Sequence, residues 1–285
     1  MKSKSPKTYA APTLAGQVTV IIPTRDSAGS LRRCLLSVKA QSYPVDEIVV
    51  VDGFSGDNTR DIASDLGCKV ILASGTQAAA RNIGLASAKG EYVIFLDSDQ
   101  QLEDGVVEEC ISKSVKEGVD AVKIPELFVG ANYWGRCSAL WKNSMVKAWG
   151  SEGGIPRFYR RSIMPQSSAY KSKLRFWEDL ELYQRMRRVA RDAWCTGRVI
   201  HYEIASLRGV ARKYLSYGRS VAVMRGSSAE TPYKLTVKLT LSTALYILRN
   251  TGRQPSIFFG CLFQALLKSI CAALGLLLEL RLPKD

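Results

Sequence analysis

A single histidine, His201, is all that the 285 residues contain, and the seven cysteines (34, 68, 110, 137, 195, 261 and 271) form no CxxC pair. No Cys/His spacing of a zinc site exists, and an odd, scattered cysteine set reads as free thiols in a reducing compartment. The first sixteen residues, MKSKSPKTYAAPTLAG, hold no apolar stretch, so a disordered lead over 1–16 is expected rather than a secretory signal. Internal repeats are absent. So is any aromatic-interleaved RNA signature or DNA-reading motif, and nucleic acid is not an expected partner.

What is present is positive charge. Forty Lys and Arg stand against 26 Asp and Glu, a net +14. That sign suits nucleic acid, an anionic membrane surface or phosphorylated substrates. The excess lies in the second half, where residues 157–225 carry sixteen basic and five acidic side chains. The length accommodates one full α/β core with about seventy residues to spare.

Short apolar runs punctuate the first 120 residues. Val18–Ile22, Glu47–Asp52, Lys69–Leu72 and Glu91–Asp97 read as buried strands. Between them, helices are expected from a Ser30 cap through Leu31, Leu35 and Val38, over 58–66 and over 76–88. This alternation implies a mostly parallel sheet with helices on both faces. Beyond it the pattern predicts a strand over 120–124, a Trp-rich helix over 133–149, a Gly153-Gly154 loop, a helix over 179–189, a strand over 193–200 and a basic helix over 210–225.

The tail differs in kind. Residues 257–280 carry only Lys268 and Glu279 as charges, close to the length that spans a bilayer. Gln264, Lys268, Gly275 and Glu279 fall within about 60° on a helical wheel, so a helix lying in the membrane interface or packed on a neighbour is expected. A preceding helix over 233–249 and a turn over 251–255 complete a C-terminal pair.

In open α/β sheets, ligands bind beyond the carboxyl ends of the strands. Three strands deliver carboxylates to that edge: Asp26 after the first, Asp52 ending the second, and Asp97 with Asp99 after the fourth. One such Asp is commonly a turn former or helix cap; three strand ends are harder to dismiss. Asp97-Ser98-Asp99 follows the apolar Val93–Leu96 and offers oxygen ligands for Mn²⁺ or Mg²⁺ shared with a diphosphate. Glu178-Asp179 supplies either a general base or a complement to a helix dipole. Arg208, Arg212, Lys213 and Arg219 form either a solvated basic helix or a face towards phosphate.

Five segments occur in one order: Pro23–Asp26, Val50–Thr59, Ala80–Ala86, Gly90–Asp99 and Trp177–Leu182. Together they resemble the family 2 glycosyltransferases, inverting enzymes of the GT-A fold, over roughly residues 17–225. The resemblance implies a GT-A, Rossmann-like catalytic domain over 17–228; the apolar tail adds the expectation of membrane-associating helices over 229–285. The resemblance also implies that Pro23, Thr24, Asp26, Asp52, Arg81, Asp97 and Gly154 bind the nucleotide sugar, and that Asp99, Asp97 and His201 hold the metal. Asp179, beside Glu178, is implied as the base that activates the acceptor, with Trp177 towards the acceptor; Arg208, Arg212 and Lys213, next to the apolar tail, are expected to face acceptor or phosphate. Two departures stand out: Asp52 is followed by Gly53-Phe54, and Asp26 by Ser27, where the family usually has Asp-Asp-Gly-Ser and Asn-Glu. The expected activity is transfer from a UDP- or GDP-sugar to a lipid-linked acceptor at the cytoplasmic membrane face. Whether lipid phosphate or sugar hydroxyl attacks stays open, as do the alternatives of a soluble or polymeric acceptor and of a non-catalytic nucleotide-sugar-binding or nucleic-acid-binding protein.

Overall fold

The computed structural model describes residues 16–149, 154–165, 168–174, 176–203, 206–224, 245–251 and 254–280. The expected lead over 1–16 (but for Gly16), Gly153, Arg225, most of the helix over 233–249 and part of the 251–255 turn lie outside them.

Strands and helices alternate as the apolar runs require: β1 Val18–Thr24, α1 Ala28–Lys39, β2 Glu47–Asp52, α2 Thr59–Asp65, β3 Lys69–Leu72, α3 Gln77–Ser87 and β4 Tyr92–Phe95. Then follow β5 Gln100–Leu102, α4 Val106–Lys116, β6 Ala121–Lys123, β7 Glu126–Gly130, α5 Tyr133–Trp149 and β8 Pro156–Arg160. The chain continues through α6 Glu178–Met186, β9 Asp192–Trp194, β10 Val199–Glu203, α7 Leu207–Met224 and α8 Pro255–Leu280.

Seven strands build the main sheet in the order β3-β2-β1-β4-β8-β6-β9, with β8 alone antiparallel to its neighbours. Side chains alternate across each strand, so β1 sends Val18, Val20 and Ile22 to one core and Ile21 to the other. The first core packs under Leu31, Leu35 and Ile111; the second lies against Leu85, Tyr159 and Leu182. Both faces are covered, as a mostly parallel sheet demands.

Two local expectations need correction. Helix α1 starts at Ala28 behind Ser27, not at Ser30, because Asp57 from the next loop accepts the Ala28 N–H at 3.0 Å. The single strand over 193–200 is two strands in different sheets. Glu109 takes the Thr196 and Gly197 N–H groups at 2.8 and 3.1 Å, which breaks the strand and redirects the chain. The second half, β10, then joins β5 and β7 in a small sheet of order β5-β10-β7.

Helix α8 is turned the opposite way from an ordinary surface helix. Its polar stripe points inward, with Gln264, Lys268 and Gly275 buried. The Gln264 amide accepts from Ser138 Oγ and donates to the Trp134 carbonyl, both at 2.9 Å, which docks α8 on α5. Phe259, Phe263, Leu266, Ile270 and Leu277 face outward and are exposed. Of its 26 residues, an 18-residue stretch has a mean hydropathy of 2.0, so the helix is long and apolar enough to cross a membrane, and only 22% of that stretch is buried.

Two glycines seal α7 to α8. A Cβ on Gly218 would stand 1.9 Å from the Ala272 carbonyl oxygen, and one on Gly275 2.0 Å from that of Leu215. Gly218→Ala should therefore cost roughly 1–3 kcal/mol by overpacking. Gly209→Ala, on the exposed start of the same helix, should instead be neutral or stabilise by about 0.5–1 kcal/mol. Thermal melting of the two variants side by side checks the seam, and equal melting temperatures would contradict it.

Candidate active site

The loops after β1, β2 and β4 enclose a cleft of about 350 Å³ lined by Pro23, Thr24, Gly53, Gln77, Asp97 and Asp99, among others. It lies at the carboxyl edge of the parallel strands, where this architecture binds ligands.

Asp52 ends β2 but is withdrawn from the cleft. It is fully buried, and its carboxylate accepts from Thr24 Oγ1 at 3.2 Å and from both the N–H and hydroxyl of Ser55. Thus Asp52 ties the β1 and β2 loops together, and Gly53 is what lines the cavity. Asp26, in a left-handed conformation (φ 49°), accepts from Gly56 N–H at 2.8 Å and stands on a neighbouring cavity.

Asp97 is also heavily engaged. Its Oδ1 accepts from Arg81 Nη2 at 2.8 Å and Gln77 Nε2 at 2.6 Å, and its Oδ2 from Gln100 Nε2 at 3.2 Å. Those contacts occupy both acceptor sites of Oδ1 and one of Oδ2, the oxygens that the sequence assigns to a metal. Asp99 is different: its Oδ2 stands 3.1 Å from His201 Nε2. The small sheet creates that contact, because His201 on β10 pairs with Gln100 on β5 and Phe128 on β7. Glu126, from β7, meets the other imidazole nitrogen at 2.7 Å and Arg157 Nη2 at 3.2 Å. Burial opposes a charge on His201, yet Asp99 and Glu126 prevail and push its pKa up to about 9. Arg157 and His201 likewise outweigh burial and hold Glu126 well below the usual carboxylate range.

Metal fit follows from these distances. Ligand atoms about 3 Å apart are what adjacent positions of an octahedral site with bonds of about 2.1 Å require. The Asp99–His201 pair meets that spacing, with the imidazole proton displaced on binding. Among the described residues no group of three His, Cys, Asp or Glu side chains converges on one point. The protein thus offers two ligands, leaving room for phosphate oxygens and water, which suits Mn²⁺ or Mg²⁺ shared with a diphosphate.

Arg81, on α3, joins this cleft to a second, smaller cavity. It is buried and pairs with Asp97 and with Glu178 Oε1, the latter at 2.7 Å. Glu178 begins α6 just after Trp177, whose backbone is left-handed at φ 67°. Burial pushes Glu178 up to about 7 even against the Arg81 guanidinium, and Asp179 adds to the rise. Asp179 uses Oδ1 on the Leu180 N–H at 2.8 Å and lines the second cavity with Arg81, Tyr170, Gly154 and Trp194. Gly154 is the close approach that the sequence assigned to a ligand, but the group against it is Trp194, which a Cβ would meet at 2.1 Å.

The basic helix α7 divides. Lys213 reaches the cleft, whereas Arg208 and Arg212 are exposed. Trp177 packs on Phe176 with ring centroids 4.5 Å apart. Sequence reasoning missed Gln77, Gln100, Glu126 and Arg157. Each comes from a segment outside the ordered motifs, where one polar side chain carries no pattern.

Residues 19–215 match the family described as Glycosyl transferase family 2. The chain belongs to that family. Among curated relatives, the glycosyltransferase GlyA of Streptococcus pneumoniae is 36% identical over 110 residues, covering 36% of this chain and 16% of that one. The poly(ribitol-phosphate) β-N-acetylglucosaminyltransferase TarP of Staphylococcus aureus is 30% identical over 115 residues, covering 37% and 35%. The chain spans 21%, 16% and 38% of the lengths of three curated relatives it matches. Among solved structures, the mannosyltransferase PcManGT from Pyrobaculum calidifontis, in complex with GDP-Man and Mn²⁺, superimposes with a TM-score of 0.59. That match covers 96% of this chain and 91% of the other at 20% identity, a likeness of fold, which is GT-A.

Proposed function

We propose that the protein transfers a sugar, with inversion, from a nucleoside-diphosphate sugar to a lipid-linked acceptor at the cytoplasmic face of the cell membrane. The observation that carries the reading is the Asp99–His201 pair, 3.1 Å apart on a cleft built from three parallel strand ends. Asp99 and His201 would hold Mn²⁺ or Mg²⁺, which when bound would supply charge neutralisation for the departing nucleoside diphosphate. Pro23, Thr24 and Gly53 wall the nucleotide side of the cleft, and Arg81 fixes Asp97 at its floor. Asp179 accepts the proton of the attacking acceptor hydroxyl. Glu178, committed to Arg81, positions that helix end.

The membrane part of the proposal rests on α8, whose outward face is apolar and whose polar stripe packs against α5 and α7. A polymeric or soluble acceptor is the second reading, favoured by the name of the Staphylococcus aureus relative. A screen of UDP- and GDP-sugars with Mn²⁺ or Mg²⁺, with and without membrane lipid extract, tests both by nucleotide release. Release that depends on metal and lipid extract is expected. Release that ignores the extract favours the second reading, and no release from any common donor sinks the transferase proposal.

A further inference from the structure

Against Asp99 lies another cavity, of about 420 Å³. Asp99, Ser27 and Lys213 line both it and the cleft, so the two spaces share a wall at the metal-ligand carboxylate. Four cations surround this cavity: Arg33 from α1, Lys142 from α5, Lys213 from α7 and Lys268 from α8.

Three carboxylates also line it, and each is occupied. Glu203 pairs with Lys142, Asp99 with His201, and Asp26 accepts from the Gly56 N–H. Among the described residues, Arg33, Lys213 and Lys268 have no ion-pair partner. Lys268 is the telling one. It is 4% exposed, and its ammonium, with no hydrogen-bond partner, stands 4.2 Å from the centre of the Trp141 ring. A buried, unpaired ammonium is costly to keep charged. Its pKa is accordingly pushed down to about 8, by burial first and then by Lys142. Burial and Lys213 lower Lys142 in the same way. An anion seated against Lys213 and Lys142 would relieve both effects, and a change of rotamer at Lys268 would bring its idle donor onto the same anion.

We propose that this cavity is a phosphate-binding subsite for the acceptor, with Lys268, Lys213 and Lys142 as its ligands. The word acceptor rests on the transferase reading above; the anion site itself stands on the geometry. A lipid-linked saccharide and a free phosphate ester share the chemistry that these lysines recognise. Because Lys268 projects from the inner face of the helix whose outer face is exposed and apolar, the phosphate would sit beside any lipid that covers α8.

The test needs no turnover, so a failed donor screen and a failed subsite remain distinguishable. Inorganic phosphate is titrated into the full chain at constant ionic strength, with EDTA present to silence the metal site, and melting is followed. The wild type should melt higher as phosphate rises. Lys268→Met should melt higher than wild type without phosphate, because the unpaired buried charge is gone, and should lose the phosphate response. Lys213→Met, at an exposed position, should lose at least half of the response with its fold unthreatened, whereas Lys116→Met on α4 should keep it. No response in the wild type, or a full response in both cavity variants, overturns the subsite. Flotation with phosphatidylcholine vesicles, with and without phosphatidylglycerol, then separates the sources. Lysine-dependent preference for the anionic vesicles assigns a lipid headgroup; unchanged flotation with a lost phosphate response assigns a soluble phosphate ester, and either supports the site.

Discussion

Asp179→Asn should lower kcat by about 10²–10⁴-fold, the usual contribution of a positioned general base. Donor affinity should stay within a few-fold. The asymmetry follows from how the two carboxylates of the Glu178-Asp179 pair are deployed. Glu178 is tied to Arg81 at 2.7 Å, whereas Asp179 holds only its own helix start and opens on a cavity. Asparagine keeps the shape and can still accept the Leu180 N–H, so only the proton acceptor is lost. Turnover and donor titration, measured on one preparation, separate the two effects. A variant that turns over within threefold of the wild type means that Asp179 takes no proton and that the nucleophile arrives already anionic.

Arg81→Met should be the most damaging single change to the fold. It removes the guanidinium that two carboxylates share and leaves Glu178 buried without its cation. Breaking a buried pair in this way costs about 3–5 kcal/mol. For 285 residues, at about 2.1 cal/mol/K of unfolding entropy per residue, that corresponds to a fall of roughly 5–8 °C in melting temperature. The pH dependence carries a sign of its own. Glu178 is already raised from 4.5 to about 7, so the folded protein holds that proton more tightly than the unfolded chain does. Its contribution to stability is therefore most favourable below about 4.5 and declines as pH rises through 7. Without Arg81 the carboxyl rises further, and the decline extends to higher pH. The melting deficit of the variant should accordingly be smaller at pH 5 than at pH 8. A deficit that is flat across this range would mean that the lost pair is not the cause.

Much of this architecture can be read from the chain. Val18–Ile22, Glu47–Asp52 and Val93–Leu96 are apolar runs too short for helices, and the carboxylates that follow them mark the binding edge of a parallel sheet. The ordered motifs then point to the family. What stays hidden is contact made across strands. Gln100, Glu126 and His201 meet because β5, β7 and β10 lie side by side, though 101 residues separate the first from the last. Two of those strands carry no hydrophobic alternation of their own. The same limit applies to Asp52, whose place at a strand end is legible but whose capture by Ser55 is not. In the tail, the polar stripe is plain in the sequence; which way it faces depends on partners that periodicity cannot name.

The orientation of that stripe bears on how the protein can be handled. Removing residues 255–280 to gain solubility would take away an exposed greasy surface, but it would also uncover the side of α5 around Trp134, Cys137 and Ser138 and the Gly218 strip of α7. It would leave the phosphate cavity without one wall, and the truncated chain would exchange one sticky face for another. Purification with α8 retained, and a mild non-ionic detergent to cover its apolar face, is the treatment that this packing favours. Anionic detergents are to be avoided, because their head groups would arrive at the lip of a cavity ringed by lysines.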